Sequence, residues 1–177
     1  FTVEATNGSL KTEKTVTVSV NDLNDNAPVF TSASFVSIDE NAASGTAIYT
    51  AVTRDADATL ANRSVVYSLA NSGDAAALNI DATTGAVTLK TAADFEAKTS
   101  YSFTVVATNG AQVTQNPVTV SVNDLNDNAP VFTSGASGSV YENIPIGTPI
   151  YTAATSDADT FTANRAVVYS LKDGQDK

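Results

Sequence analysis

The 177-residue chain contains no cysteine, no histidine, no tryptophan and no methionine. Without cysteine, neither a disulfide nor a thiolate metal site can hold the fold together. Without histidine, the chain lacks the side chain that most often serves as a general base and as a transition-metal ligand. No nucleophile–base set is left in the sequence, so we do not expect an enzyme.

Positive charge is also scarce, with 9 Lys and Arg against 19 Asp and Glu and a net charge of −10 at pH 7. Phosphate binding needs clustered Lys and Arg, so this balance argues against nucleic acid as a partner. No apolar run approaches the length of a membrane span, and we expect no membrane segment within this sequence. The surplus of carboxylates is compatible with hard cations.

One stretch of ten residues occurs twice: residues 21–30, Asn-Asp-Leu-Asn-Asp-Asn-Ala-Pro-Val-Phe, recur letter for letter as residues 123–132. The period of 102 residues is too long for a solenoid and fits a whole small domain. The stretch follows an alternating strand and carries a proline, which is unsuited to a central strand, so it is a connector. We predict the C-terminal strand pair of one repeat at residues 1–23, a complete repeat at 24–125 and the N-terminal part of a further repeat at 126–177.

Short strand signals separated by turns fill the complete repeat. Strands are predicted around residues 36–38, 47–52, 65–69, 80–81, 87–89, 101–107 and 118–122, with one helical turn at residues 75–78. Residues 16–20 alternate Val with Thr or Ser and predict a strand as well. About seven short antiparallel strands without a long helix predict an all-β fold, a tandem array of seven-stranded Greek-key immunoglobulin-like sandwiches.

Asn and Asp make up half of each connector, which is therefore either a hydrophilic turn or a calcium clamp. Ca²⁺ takes about 6–8 oxygen ligands from carboxylates, amides and backbone carbonyls, all of which such a stretch offers. The connector recurs exactly, and matching acidic pairs occur elsewhere in the chain. Both observations favour calcium binding over a simple hydrophilic turn. Not every acid takes part: Asp81 is expected to close the turn to Thr84, and Asp22 and Asp124 to form hydrogen bonds in their turns.

The connectors, with the pattern Asp-x-Asn-Asp-Asn-Ala-Pro-x-Phe, resemble the linker between the repeats of cadherins. The pattern lies at residues 22–30 and 124–132. Other motifs of that family follow in family order: Glu-Asn at 40–41 and 142–143, Asp-x-Asp at 55–57 and 157–159, Asn-x-x-x-x-Tyr at 62–67, Ile-Asp…Thr-Gly-x-Val at 80–87 and Asp-x-Glu at 94–96. The ordered set covers the whole chain.

The resemblance implies Ca²⁺ as cofactor, three ions at a junction, held by side chains and backbone carbonyls of both repeats and the linker. At the second junction the implied ligands are Glu40, Asp94, Glu96, Leu125, Asn126, Asp127, Asn128, Asp157, Asp159 and Asn164. At the first they are Leu23, Asn24, Asp25, Asn26, Asp55, Asp57, Asn62 and Asn109, while the upstream partners precede residue 1. Glu142 is the counterpart of Glu40 in the next repeat. Two carboxylates about 4 Å apart repel by roughly 4 kcal/mol at an effective dielectric near 20, so the six at the second junction need cations.

The chain departs from the family at Asn109, where cadherins usually have Ala-x-Asp and this sequence has Ala-Thr-Asn, at residues 107–109 and again at 5–7. Asn109 can offer an amide oxygen but no charge, so we expect weaker calcium binding at the downstream edge of the first junction. Asn109-Gly110 also suits a type I′ hairpin turn. Both roles stay open.

Two functions fit the sequence. One is a structural repeat of a calcium-stiffened extracellular rod or fibre that supports adhesion at the cell surface, with neighbouring repeats as its partners. The other is a calcium-dependent binding module for a cell-surface protein, a polysaccharide or a like array on another cell, with lateral self-association. Lack of tryptophan excludes the Trp-anchored strand exchange of some cadherins. The composition, rich in Thr, Ala, Val and Ser, resembles that of large bacterial surface adhesins more than that of animal cadherins.

Overall fold

The computed structural model describes residues 1–172 and 174, and almost all of its regular structure is strand. The strands are β1 Thr2–Asn7, β2 Leu10–Thr15, β3 Val29–Phe30, β4 Phe35–Asp39, β5 Ala47–Thr50, β6 Thr53–Arg54, β7 Val66–Leu69, β8 Leu78–Ile80, β9 Ala86–Leu89, β10 Ser100–Asn109, β11 Gln112–Asn123, β12 Val131–Phe132 and β13 Thr155–Ser156. A 3₁₀ turn spans Ala75–Ala77, where a helical turn is predicted. The short helix α1, Leu60–Arg63, is not predicted.

The complete repeat is built from two packed layers of strands. One layer is the four-stranded sheet β4-β11-β10-β7; the other contains the three-stranded sheet β5-β9-β8 and the short ladder β3-β6. If β3 with β4, and β5 with β6, are taken as two halves of one interrupted strand, the repeat has seven strands. The predicted all-β, immunoglobulin-like sandwich is thereby confirmed.

One pairing differs from the predicted antiparallel arrangement, because β4 runs parallel to β11 with Val36 opposite Val120. The cause lies in the connectivity. The first strand of the repeat leaves one linker and the last strand leads into the next, so both run toward the same end of the repeat. After β3 has paired with β6 in one layer, the chain crosses to the other layer and lies beside β11.

Alternate residues of the two longest strands fill the space between the layers, as expected for half-buried strands. Val105 on β10 and Val120 on β11 are fully buried, and Val87 on β9 meets them from the other layer. The rings of Tyr49 and Phe103 pack edge to face with their centroids 6.0 Å apart. Each buried valine stabilises the fold by about 1.5–3 kcal/mol relative to an exposed one, so this core makes the repeat a rigid support for its ends.

The predicted strand at residues 16–20 is wrong: β2 ends at Thr15, and the side chain of Val20 is 95% exposed. In the complete repeat the corresponding residue, Val122, lies beside β4 and is buried. In the complete repeat, residues 119–122 pair with β4 and with the first residues of β10. Since Phe1 is the counterpart of Phe103, neither of these partners has a counterpart within residues 1–23. An alternating pattern forms a strand only where a neighbouring strand takes up its hydrogen bonds.

Candidate metal centre

The second linker, residues 123–130, is fastened to the complete repeat by Glu40. This side chain follows β4 and is only 3% exposed. Its Oε1 accepts a hydrogen bond from the backbone N–H of Leu125 at 2.6 Å. Its Oε2 accepts one from the backbone N–H of Phe95 at 2.8 Å. One carboxylate thus joins the end of β4, the linker and the Asp-x-Glu motif.

Asn41 positions the linker carboxylate of Asp127. Its φ of 62° places it in the left-handed region, which asparagine tolerates better than most residues. From there its Nδ2 donates a hydrogen bond to Oδ2 of Asp127 at 2.6 Å, and Nδ2 of Asn128 donates to Oδ1 at 2.8 Å. Sequence reasoning assigned Asn41 no part in the site, although its recurrence after glutamate, as Asn143, was a visible signal.

Carboxylates from both repeats and the linker meet at the second junction. Glu40, Glu96 and Asp124 form one group, and Glu96, Asp127 and Asp159 form another; in each group one oxygen per residue lies within 4.8 Å of the others. Four predicted ligands are therefore brought together, with Asp124 in addition. These residues span the end of one repeat, the linker and the start of the next.

The pKa of Glu96 is raised above its ordinary value. Loss of solvent around the carboxylate is the first cause, and the negative charges of Glu40, Asp127 and Asp124 add to it. Like charges disfavour ionisation of a neighbour. A divalent cation among these groups would remove that penalty.

Two predicted carboxylate ligands of the second junction, Asp94 and Asp157, lie outside these two groups. Oδ1 of Asp94 accepts a hydrogen bond from the backbone N–H of Ala97 at 3.0 Å, so it caps its own turn. Oδ1 of Asp157 accepts one from the backbone N–H of Asp159 at 3.1 Å. Each uses one carboxylate oxygen locally.

The Asp-x-Asp loops hold the linkers in the same way at both junctions. Asp57 and Asp159 are 4% and 1% exposed. Oδ1 of Asp57 accepts hydrogen bonds from the backbone N–H of Asn26 at 3.3 Å and from its Nδ2 at 2.5 Å; Oδ1 of Asp159 accepts those of Asn128 at 3.3 and 2.9 Å.

Four oxygens around the junctions are buried without a hydrogen-bond partner in the described part of the chain. They are Oδ1 of Asn24, Oδ2 of Asp57, Oδ1 of Asp124 and Oδ2 of Asp159. A buried polar atom without a partner is costly, and such atoms in a native fold call for an explanation. All four are oxygens of the kind that Ca²⁺ coordinates, so the residues present fit this ion.

Asp22 and Asp124 are not confined to local turns, and that prediction is wrong. Oδ2 of Asp22 accepts hydrogen bonds from the backbone N–H of Thr59 at 2.9 Å and from Nδ2 of Asn62 at 2.8 Å. The N–H groups of Thr59 and Ala58 are the main causes that lower the pKa of Asp22 to about 2. Asp124 likewise accepts from the loop after Asp159. These aspartates tie each linker to its downstream repeat.

Asp81 behaves as predicted. Its Oδ1 accepts hydrogen bonds from the backbone N–H of Thr83 at 2.9 Å and of Thr84 at 2.7 Å. The hydrogen bond from Thr84 is the first cause of a lowered pKa. Asp81 therefore closes the turn between β8 and β9.

Asn109 closes β10 and is not itself in the bend. It pairs with Gln112, so the hairpin bend is Gly110 and Ala111, with φ of 58° at the glycine. The Asn109 side chain points into the first junction, where its Nδ2 donates to Oδ2 of Asp55 at 3.2 Å and to the backbone carbonyl of Asn62.

Most of the remaining candidates belong to the linkers or are bonded to them, and most are exposed. Nδ2 of Asn164 donates to the carbonyl of Asp124 at 3.5 Å, and Asp25 accepts from Nδ2 of Asn26 at 2.8 Å. Glu142 is exposed and, among residues 1–172 and 174, accepts no hydrogen bond comparable to those of Glu40. Three further candidates, which were predicted to supply oxygen ligands from the linkers, have exposed side chains: Leu23, Leu125 and Asn126.

The order of strands, the linkers and the acidic junctions agree with a family comparison. A family model described as the cadherin domain matches residues 34–123. The chain belongs to the cadherin family. It is 34% identical to human Protocadherin Fat 1 over 100% of this chain and 4% of that protein. It is 36% identical to Cadherin-20 of Xenopus laevis over 93% of this chain and 21% of that protein.

Solved cadherin structures have the same fold. The extracellular domain of Protocadherin GammaB4 matches with a TM-score of 0.79 and 31% identity, over 93% of this chain and 26% of that one. A Protocadherin gammaB7 structure described as a cis-dimer matches with a TM-score of 0.78 and 26% identity, over 93% of this chain and 43% of that one. This cadherin chain therefore spans only part of the proteins it resembles.

Family membership supports the predicted class of function. Cadherins are adhesion proteins of the cell surface and not enzymes. Within residues 1–172 and 174, no helix combines the length and apolarity needed to cross a bilayer. The relatives named here are vertebrate proteins, and the bacterial source of this chain stays a prediction.

Proposed function

We propose that this chain is a calcium-stiffened structural repeat of an extracellular adhesin or surface fibre, with Ca²⁺ held where repeats meet. The observation that carries the proposal is the meeting of carboxylates from three successive parts of the chain: Glu96 from the complete repeat, Asp127 from the linker and Asp159 from the next repeat. Of the units predicted at residues 1–23, 24–125 and 126–177, the second and third meet within this linker, so Glu96 belongs to one unit and Asp159 to the next.

The residues that would hold the ions are those of the sequence prediction. At the second junction Glu40 and Glu96 supply carboxylates from upstream, Asp127 from the linker and Asp159 from downstream. When bound, Ca²⁺ would neutralise these charges and coordinate oxygens from both repeats at once. The protein's own contribution is to hold the carboxylates in place beforehand, as Glu40 does by accepting two backbone hydrogen bonds. A linker tied at both ends in this way bends less freely.

Adhesion as the role of the whole protein follows from its relatives and is part of the same proposal. Neighbouring repeats of the same chain are the first partners. Lateral self-association is supported by the protocadherin gammaB7 structure, which is described as a cis-dimer. Lateral contact between stiff rods costs less conformational entropy than contact between flexible ones, so calcium would favour it.

Asp127→Ala is expected to weaken calcium binding at the second junction at least about tenfold, which corresponds to roughly 1.4 kcal/mol. The substitution removes a carboxylate that is shared by the linker and both repeats, and affinity in calcium sites rises with ligand charge. Isothermal titration calorimetry of the wild-type chain and the variant measures the change.

Asp81→Ala is the matched control. It also removes one aspartate that accepts hydrogen bonds from backbone N–H groups, but this aspartate lies in the β8–β9 turn and belongs to neither carboxylate group of the second junction. Its calcium titration should equal that of the wild type. Equal affinity losses in Asp81→Ala and Asp127→Ala would argue against the ligand assignment.

A further inference from the structure

The side chain of Asn109 lies at the point where the first linker, residues 21–28, meets the complete repeat. Asn109 is 3% exposed although it is polar, and it ends β10. Its Oδ1 accepts a hydrogen bond from Nδ2 of Asn24 at 3.0 Å, and its backbone carbonyl accepts a second one from the same nitrogen at 3.4 Å. The amide thus fastens the linker to the end of the repeat.

The other half of the same amide points at two oxygens that are themselves candidate calcium ligands. Nδ2 of Asn109 donates to Oδ2 of Asp55 at 3.2 Å and to the backbone carbonyl of Asn62. An amide N–H₂ group carries two donors and no acceptor. The nitrogen therefore places a partial positive charge beside the two oxygens at which a bound cation would place its full charge.

We propose that Asn109 is an internal competitor of Ca²⁺: its amide nitrogen occupies the oxygens of Asp55 and Asn62, and so holds the downstream edge of the first junction together without an ion. An oxygen that accepts a hydrogen bond must give it up to coordinate a cation along the same direction. Calcium at this edge has to displace the amide. Asn109 then lowers calcium affinity by competition, in addition to lacking the charge of an aspartate.

The competition with calcium rests on the proposed function, whereas the fastening of the linker by Asn109 does not. The hydrogen bonds of Asn109 join protein atoms only, so they can be tested apart from the proposed function. Asn7 and Gly8 repeat the Asn-Gly pair of the hairpin at the same position of the preceding repeat. The same sequence at both positions predicts the same arrangement in the preceding repeat.

The test follows Asn109→Ala by NMR, with calcium alone as the titrant. The backbone amide of Asn26, which is hydrogen-bonded to Asp57, reports the first junction. The amide of Asn128, bonded to Asp159, reports the second junction in the same molecule. Removing the competitor should tighten the calcium step seen at Asn26 by roughly threefold to tenfold, the net worth of about one ordinary hydrogen bond. The step at Asn128 should not move.

The sign of the change separates the two roles of Asn109. If its amide oxygen were a calcium ligand, Asn109→Ala would weaken the step at Asn26, and this outcome would overturn the proposal. An unchanged step at Asn26 would overturn it as well. If no calcium step appears at either reporter, the proposed function fails, and the calcium-free measurement below still decides whether the fastening exists.

The calcium-free measurement uses the wild-type chain in chelator and so does not depend on any variant folding. The side-chain N–H₂ protons of Asn109 should exchange with solvent roughly tenfold or more slowly than those of the exposed Asn79, because a buried hydrogen-bonded amide exchanges only on opening. Equal exchange rates would overturn the fastening.

Asn109→Asp provides a second variant that is nearly isosteric. It replaces the donor by a carboxylate beside Asp55, so it removes the competitor and adds a ligand charge. Calcium affinity at Asn26 should rise further than in Asn109→Ala, and the melting temperature in chelator should fall because the two carboxylates repel. No gain in calcium affinity for Asn109→Asp would contradict the competition.

Discussion

Removing calcium is expected to turn an extended array of these repeats into a flexible one. With chelator, the carboxylates of Glu96, Asp127 and Asp159, which lie within 4.8 Å of one another, repel each other across the junction. With calcium the same groups become shared ligands of ions that belong to both repeats. Small-angle X-ray scattering of a chain extended to several complete repeats should give a larger radius of gyration and maximum dimension with calcium than with chelator.

The control for this experiment separates coordination from screening. Sodium chloride weakens repulsion between exposed charges, with a Debye length of about 10 Å at 0.1 M. Sodium at matched ionic strength should therefore relieve some repulsion without straightening the array. An Asp127→Ala array should stay flexible with calcium. Scattering profiles that coincide with and without calcium would refute calcium-dependent stiffness.

Glu40→Ala should destabilise the complete repeat by about 3 kcal/mol in chelator, which lowers its melting temperature by roughly 10–20 °C. The substitution leaves the backbone N–H groups of Leu125 and Phe95 without the carboxylate that they donate to. Each such hydrogen bond to a charged group contributes about 1.5–3 kcal/mol. Removing the charge also relieves repulsion from Glu96 and Asp124, but where water screens the pairs this amounts to about 1 kcal/mol for each, against roughly 4 kcal/mol at an effective dielectric near 20. The free energy lost with the two hydrogen bonds is larger than the repulsion relieved, so the net effect is destabilisation.

Glu142→Ala is the control, since Glu142 occupies the same Glu-Asn motif in the next repeat but is exposed. Thermal unfolding followed by circular dichroism in chelator should give a melting temperature within about 1–2 °C of the wild type, as is usual for exposed positions. If Glu40→Ala melts at the same temperature as Glu142→Ala, Glu40 does not fasten the linker.

Much of the site could be predicted because its signals are local in the sequence. The repeated connector at residues 21–30 and 123–132 marks the linkers by identity alone. Alternating apolar residues such as Val105 and Val120 mark the core strands, since the side chains of a strand point to opposite faces in turn. Motif order in the family then supplied Glu40, Glu96 and Asp127 as candidates, and the fold places Glu96 in one group with Glu40 and in another with Asp127 and Asp159.

The errors arise where a residue's partner lies far along the chain. A turn role for Asp22 was reasonable from its neighbours, but its carboxylate meets N–H groups 36 and 37 residues away. The alternation at residues 16–20 predicted a strand that has no neighbour to pair with. Local patterns state what a residue prefers, while hydrogen bonding to a distant segment depends on the whole topology.

The sequence by itself determined the repeat length, the strand-rich sandwich, the choice of oxygen ligands over nitrogen and sulfur, and the acidic character of the junctions. Composition and periodicity decide these properties, and both can be read without knowing which segments meet. Only the tertiary structure decided that β4 lies parallel to β11, that Asp124 joins Glu40 and Glu96, and that the amide of Asn109 turns its nitrogen toward Asp55. Those facts depend on orientation and distance between segments, which are set when the two layers pack around their common core.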